Sequence, residues 1–298
     1  MTEYGSMLSM AGVRVNLADY PFYRLRIGAS GGEPAPWMLA DLEEFAAKNP
    51  RDPFAGRVAA GVTPRIALQI EATGEPPVWS GLDVGEADRW AAILARMWER
   101  WGIAAGETIA FFDYGSSPLV LLASSGYMAY LRRGAADRLC VTAVCNDGVA
   151  TMAARMAGIV GTVKPSALIL RRDLLAPFAS AIEAAGVSLA ERVRWIAVSE
   201  PEGVPSQTEL ARFATMFGVP VYRVLRADGA FILAGECPEC RTFHLDSSYK
   251  TQALSSGEVA ITTSFARMCP AVRYNIGAAE LVGAGCAREP RANRIACE

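Results

Sequence analysis

Between residues 86 and 101 the chain repeats apolar side chains at helical spacing: Trp90, Ile93, Leu94, Met97, Trp98 and Trp101. That stripe predicts an amphipathic helix packed by one face. Gly102 follows it as a cap. From residue 107 the pattern changes. Short apolar runs, "ETIAFFDYG", "RLCVTAV", "SALILRR", "VRWIAVSE" and "VPVYRVL", alternate with helical stretches such as "LLAPFASAIEAAGV" and "PSQTELARFATMFG". Such alternation predicts an α/β core over residues 65–228: a mostly parallel sheet flanked by helices on both faces. Ligands of such sheets bind beyond the carboxyl ends of the strands. After residue 228 the segments "AFILAGE", "TFHLDSS", "GEVAITTS" and "AVRYNIGAAELV" are short, β-rich and separated by turns. They predict a smaller antiparallel β-lobe over 229–298. Residues 1–64 read as an irregular N-terminal segment with one helix at "PWMLADLEEFAAKN".

Composition narrows the classes. With 52% hydrophobic and 20% charged residues in 298, the chain is expected to bury a sizeable core. A net charge of −2 without a basic block gives nucleic acid no electrostatic footprint. No run is long and apolar enough for a bilayer, so no membrane partner is expected. The N-terminus lacks the charged-then-apolar pattern of a signal peptide. The expected location is therefore cytoplasmic, where the seven cysteines are thiols or metal ligands rather than disulfides.

One local cluster stands out. "GECPECRTFHLD" places Cys237, Cys240 and the only histidine, His244, at C-x2-C-x3-H spacing. Zinc takes such local Cys/His sets plus ligands from elsewhere. Cys286 and Cys269 compete for the fourth position, and a four-ligand site would be closed and structural. The alternative is a Cys237 or Cys240 nucleophile activated by an unligated His244.

Residues 107–282 resemble the phenylacetate–CoA ligase family of adenylate-forming enzymes, mainly in the order of their segments. "ERWGIAAGETIAFFDYG" is similar to the family's helix, turn and strand running into a Tyr-Gly loop beside the aryl pocket. The stretch from "RRGAADRLC" to "PSALIL" is similar to its "lGa…PSYa" segment, and "GEVAITTSFARMCPAVRYNIG" to its "GELV.TT…PlIRYRTGD" strand pair. "GECPECRTFHL" is similar to its "EC…GLHI" element. The resemblance implies the large N-terminal domain of an adenylate-forming enzyme. It carries substrate-binding roles onto Tyr114, Gly115, Ser116, Ser166, Tyr222 and Gly229. It also implies zinc at Cys237, Cys240, His244 and Cys286, because some relatives hold zinc through the matching residues and a later cysteine turn. Cys269 then reads as a small core residue. Plainer readings stand beside these: Tyr114 and Gly115 as a strand-to-helix turn, "PSALIL" as a capped strand, Arg273 and Tyr274 as packing residues, the tryptophans as core. Arg171, Arg172 and Asp173 read as a solvated face.

Four family features depart from the pattern. The phosphate loop is replaced by "LQIEATGEPPVW", in which Thr73, Gly74 and Pro76 remain and Glu71 and Glu75 add negative charge. The "YG.TE" motif becomes "VYRVLRADGAF", keeping Tyr222, with Asp228 available only after a shift of register. The ribose-binding Asp of "RYRTGD" becomes Ala278, while Arg273 persists as a nucleotide-site remnant. The family's small domain, with its catalytic lysine, is expected to be absent.

These departures lead to the expectation that the chain binds an aryl or acyl group and handles a preformed acyl-CoA thioester, moving acyl to a carrier-protein thiol or other acceptor. No ATP is expected as a cofactor in that reading. One alternative is a non-catalytic scaffold partner of a biosynthetic enzyme, and a homodimer fits either reading. Another alternative is an ATP-dependent aryl-CoA ligase with an altered phosphate loop.

Overall fold

The structure, a computed structural model, describes residues 7–10, 13–27, 32–125, 131–147, 152–283, 286–289 and 292–297. The chain begins with strands β1 (Met7–Met10) and β2 (Val13–Asn16), helices α1 (Pro21–Ile27) and α2 (Leu39–Lys48), and strands β3 (Ile66–Gln69) and β4 (Trp79–Leu82). Helix α3 (Val84–Arg100) leads into β5 (Thr108–Asp113), α4 (Pro118–Ala123), α5 (Ala135–Leu139), β6 (Thr142–Asp147), α6 (Ala153–Val163) and β7 (Ala167–Arg171). Then come α7 (Leu175–Ala184), β8 (Trp195–Ser199), β9 (Glu202–Gly203), α8 (Gln207–Phe217) and β10 (Val221–Ala227). Strands β11 (Ile232–Gly235), β12 (Phe243–Leu245), β13 (Tyr249–Ala253), β14 (Glu258–Thr263), β15 (Ala271–Val282) and β16 (Asn293–Cys297) complete the order. Two compact units result. The first holds Met1–Arg89, Ala227–Ile232 and Leu245–Cys297, and the second holds Trp90–Arg226 and Leu233–His244.

The second unit is built on a sheet of order β11-β10-β8-β7-β5-β6, with β9 beside β10. The five strands expected to be parallel are so: β10 with β8, β8 with β7, β7 with β5, and β5 with β6. Both faces are buried, which is why these strands read as continuous apolar runs. One face sends Ala110, Phe112, Leu168, Leu170, Ile196 and Val198 against Met156 and Val160 of α6, Phe178 and Ile182 of α7, and Leu210 and Phe217 of α8. The other meets α3: Trp98 lies 5.4 Å from Phe111, and Trp101 lies 5.0 Å from Trp195, centroid to centroid. The tryptophan stripe is therefore core. Gly102 follows α3 at φ +81, a conformation that favours glycine. Helix α4 ends at Ala123, and residues 126–130 lie outside the described residues.

The first unit is less regular. Its N-terminal part is more ordered than the sequence implied. Strands β1 and β2 pair as a hairpin, and Pro21 opens α1, where a missing N–H costs nothing. Strands β3 and β4 form a second hairpin. The antiparallel lobe is real, with neighbours in the order β16-β15-β14-β13. One strand expected there belongs elsewhere, because β11 lies beside β10 in the large sheet. At the start of α3 a buried carboxylate ties this unit together: Glu86 accepts N–H bonds from Asp83 (2.8 Å), Arg267 (2.6 Å) and Met268 (3.0 Å). Burial raises its pKa, opposed by these donors. Among the described residues no helix is long and apolar enough to cross a membrane.

Close approach makes Gly235 a test of the second unit's packing. A Cβ there would meet Met97 Cγ and Trp101 Cζ2, each at 2.5 Å. Trp101 has little freedom to yield: its Nε1 donates to the Glu236 carbonyl at 2.8 Å, and its ring stacks on Tyr222. Gly235→Ala is expected to lose about 1–3 kcal/mol through overpacking, read as a lower urea midpoint with an unchanged m-value.

Candidate functional site

The carboxyl edge of the large sheet carries a buried polar network. Strand β5 is apolar until its last residue, Asp113, which is fully buried. A buried carboxylate needs donors. Asp113 accepts from the Tyr114 backbone N–H at 2.8 Å and the Ser117 hydroxyl at 2.6 Å. Arg226, buried at the end of β10, reaches it with a guanidinium N–H at 3.3 Å. Arg171, the last residue of β7, stands 3.9 Å away. Its guanidinium lies 4.3 Å over the Tyr114 ring and binds Asp173 at 3.0 Å. Gly115 and Ser116 are exposed next to this cluster. Arg171 is thus no part of a solvated face, unlike Arg172, which pairs at the surface with Glu200 and Glu209.

Two residues expected to join Tyr114 do not. Ser166 precedes β7, and its N–H bonds the carbonyl of Thr108 at the beginning of β5. It therefore sits at the amino ends of the strands, one strand length away from Tyr114. Tyr222 lies near the start of β10. Its ring stacks on Trp101 at 5.7 Å, and the Arg241 guanidinium lies 5.9 Å from its centre.

The cysteine segment folds as a tight turn after β11. The Cys237 N–H bonds the Thr242 carbonyl at 2.8 Å, and the Arg241 N–H returns to the Cys237 carbonyl at 3.0 Å, with Arg241 in the left-handed region at φ +56. Beneath it Glu236, fully buried, binds Arg223 at 3.2 Å and Arg241 at 3.2 Å. The turn brings the ligand atoms of Cys237, Cys240 and His244 within 4.8 Å of one another, with Cys240 Sγ 3.1 Å from His244 Nε2. Tetrahedral zinc bonds of about 2.0–2.3 Å require ligand separations of roughly 3.3–3.8 Å, so this donor set fits the ion.

In the first unit, Thr73 and Gly74 lie in the β3–β4 turn. The Thr73 hydroxyl donates to the Ile70 carbonyl at 2.8 Å and accepts the Val78 N–H at 3.2 Å. The Gly74 N–H is held by the Glu43 carboxylate at 3.1 Å. Arg273, also left-handed at φ +56, donates to the Pro34 carbonyl at 2.8 Å and pins the segment before α2. Gly229 is buried, and a Cβ there would face Ile70, Leu42 and Leu39 at 3.3–3.8 Å. Its carbonyl accepts from Arg57, a fully buried arginine that also binds Ser80 at 3.0 Å. Cys286 is a buried thiol. Cys269 is buried too, and burial pushes its thiol pKa up, as for a protonated core group.

Sequence reasoning missed Asp113, Arg226, Arg171, Glu43 and Arg57. A signal existed for the first three: charges at the ends of apolar strands, where a buried strand tolerates them only with partners.

The sequence matches no family model and no curated protein. Solved structures do match. 2-Hydroxyisobutyryl-CoA ligase, in an open conformation with 2-HIB-AMP and CoA, superposes with a TM-score of 0.68 at 18% identity, covering 87% of this chain and 64% of that one. The same ligase in the postadenylation state with 2-HIB-AMP gives 0.67 at 17% identity, covering 87% and 58%. The anthranilate CoA ligase AuaEII with anthranoyl-AMP gives 0.51 at 10% identity, covering 67% and 39%. The large parallel sheet, its helices and the antiparallel strands therefore define a chain with the fold of the adenylate-forming CoA ligases. It spans about three fifths of the length of the hydroxyisobutyryl-CoA ligase structures. These neighbours overturn the expectation of ATP-free acyl transfer from a preformed thioester. Each is a ligase captured with an acyl-AMP, the product of adenylation.

The Asp113–Arg226 pair is open to a direct test. Arg226→Met strands a buried carboxylate and is expected to cost about 3–5 kcal/mol. The double change Asp113→Leu/Arg226→Met should recover much of that loss. Chemical denaturation of the three variants in a double-mutant cycle reads the coupling.

Proposed function

We propose that the chain forms the acyl- and nucleotide-handling domain of an ATP-dependent acyl-CoA ligase with an altered phosphate loop. The observation that supports this most is the superposition of 87% of the chain on a ligase holding an acyl-AMP and CoA. In this reading a carboxylate oxygen attacks the α-phosphorus of ATP and pyrophosphate leaves. The CoA thiol then displaces AMP from the acyl carbon. Tyr114, Gly115 and Ser116 lie on the acyl side, at the sheet edge where α/β folds bind ligands. Thr73, Gly74 and Arg273 are the nucleotide-side remnants. The loop keeps few donors: the Thr73 hydroxyl serves its own turn and the Gly74 amide is held by Glu43. Contact with phosphate here rests on fewer groups than a glycine- and serine-rich loop offers.

Zinc belongs to the same proposal. Cys237, Cys240 and His244 supply three ligands from one turn, and Cys286 is the fourth that the sequence resemblance assigns. Four protein ligands close the coordination sphere, so the ion's part is to hold structure. His244 is then a ligand rather than a base.

Two measurements test these assignments. A non-hydrolysable acyl-sulfamoyl adenosine should bind on the order of 100-fold more tightly than AMP by calorimetry, as expected of a site complementary to an adenylate. No binding of any member of an acyl panel would sink the ligase reading. Elemental analysis of the purified protein should give about one zinc per chain, reduced in Cys240→Ser and His244→Ala with a lower melting temperature. Zinc-free protein of unaltered stability would remove the metal assignment.

A further inference from the structure

The turn that carries Cys237 and Cys240 contains a residue its backbone does not favour. Arg241, directly after Cys240, stands in the left-handed region at φ +56. Glycine takes that conformation without strain, whereas a residue with a Cβ is strained there. The turn needs the conformation: the Arg241 N–H bonds the Cys237 carbonyl at 3.0 Å, and the Cys237 N–H bonds the Thr242 carbonyl at 2.8 Å. A glycine would close the same turn more easily. What arginine adds is its side chain. Its Nε lies 3.2 Å from Glu236 Oε1, and its guanidinium lies 5.9 Å from the centre of the Tyr222 ring. Glu236 is anchored in turn. Its Oε2 accepts the Arg223 backbone N–H at 3.1 Å, its Oε1 accepts from the Arg223 guanidinium at 3.2 Å, and its carbonyl accepts from Trp101 Nε1 at 2.8 Å. Tyr222 stacks on Trp101. The contacts therefore close a ring from Arg241 through Glu236, Trp101 and Tyr222 back to Arg241. Glu236 immediately precedes Cys237 and Arg241 immediately follows Cys240, so one ion pair joins both ends of the C-x2-C segment.

We infer that Glu236 and Arg241 are positioning residues for the metal: their ion pair clamps the Cys237–Cys240 segment so that both sulfurs are presented before zinc binds. This rests on the zinc reading above and names the side chains that set the affinity of that site. A turn already held in its binding shape has little ordering left to lose when the metal arrives. Groups that hold metal ligands from behind typically change affinity by about 10–100-fold. The strain at Arg241 is tolerated because the side chain that causes it also makes the clamp.

The test measures zinc affinity of the full chain by competition with a chromogenic chelator, and cobalt(II) loading by its thiolate-to-metal absorption. Arg241→Gly should relieve the backbone and still weaken zinc binding about tenfold or more. The urea midpoint of the metal-free protein should stay unchanged or rise. Arg241→Asn also tolerates the left-handed region but lacks the guanidinium, and should weaken zinc binding similarly. It separates loss of the pair from the flexibility of glycine. Arg241→Lys keeps the charge and should retain part of the affinity. In a Glu236→Gln background Arg241→Gly should have little further effect. If Glu236→Gln fails to fold, the Arg241 variants carry the test. Zinc affinity in Arg241→Gly equal to or above that of the unaltered chain overturns the inference. So does a fall in metal-free stability, or failure to fold, because the side chain would then serve the fold alone. Failure of the zinc reading looks different: the unaltered chain takes up neither zinc nor cobalt, and the inference falls with it. Zinc lost in Cys240→Ser but held fully in Arg241→Gly defeats the inference alone.

Discussion

A carboxylate buried at the end of an apolar strand must be met by donors from its own protein, because water is excluded. Asp113 imposes that requirement, and much of the second unit answers it. Ser117 turns back from the start of α4, and the Tyr114 N–H folds inward. Arg226 comes from β10, which is separated from β5 in the sheet order by β8 and β7. The pair thus spans the edge of three strand intervals. It holds the loop Tyr114–Ser117 in one shape, and that loop sits where α/β sheets bind their ligands.

The second buried pair follows the same rule on the same strand. Arg223 and Arg226 are three residues apart on β10, so their side chains leave opposite faces. One serves Asp113, and the other serves Glu236 under the cysteine turn. One strand therefore braces both the carboxyl edge of the sheet and the turn of sulfur and nitrogen donors. Breaking either pair would leave an uncompensated charge in the interior, the costliest kind of polar defect.

Much of this was legible in sequence. The parallel strands announced themselves because burial on both faces writes continuous apolar runs. The cysteine turn did so because its three candidate ligands, Cys237, Cys240 and His244, lie within eight positions. The ion network did not, since Asp113 and Arg226 are separated by 113 residues and nothing local pairs them. Arg171 was read as surface for the same reason: its neighbours Arg172 and Asp173 are solvated, and only the register of β7 against β5 turns it toward Asp113. The N-terminal hairpin escaped because its strands are four residues each, too short for a period to register. β11 was assigned to the wrong sheet because a strand's sequence does not say which edge it joins.

The contact between Glu43 and the Gly74 amide has a consequence for the altered loop. Glu43 is carried by α2, so its carboxylate is delivered to the turn by the fold itself. It behaves as a resident ligand, present at an effective concentration of roughly millimolar order. In the ligase proposed above, a phosphate at this turn would not fill a vacancy but would compete with that carboxylate for the Gly74 amide, so the turn would act as a threshold on occupancy rather than a passive cradle.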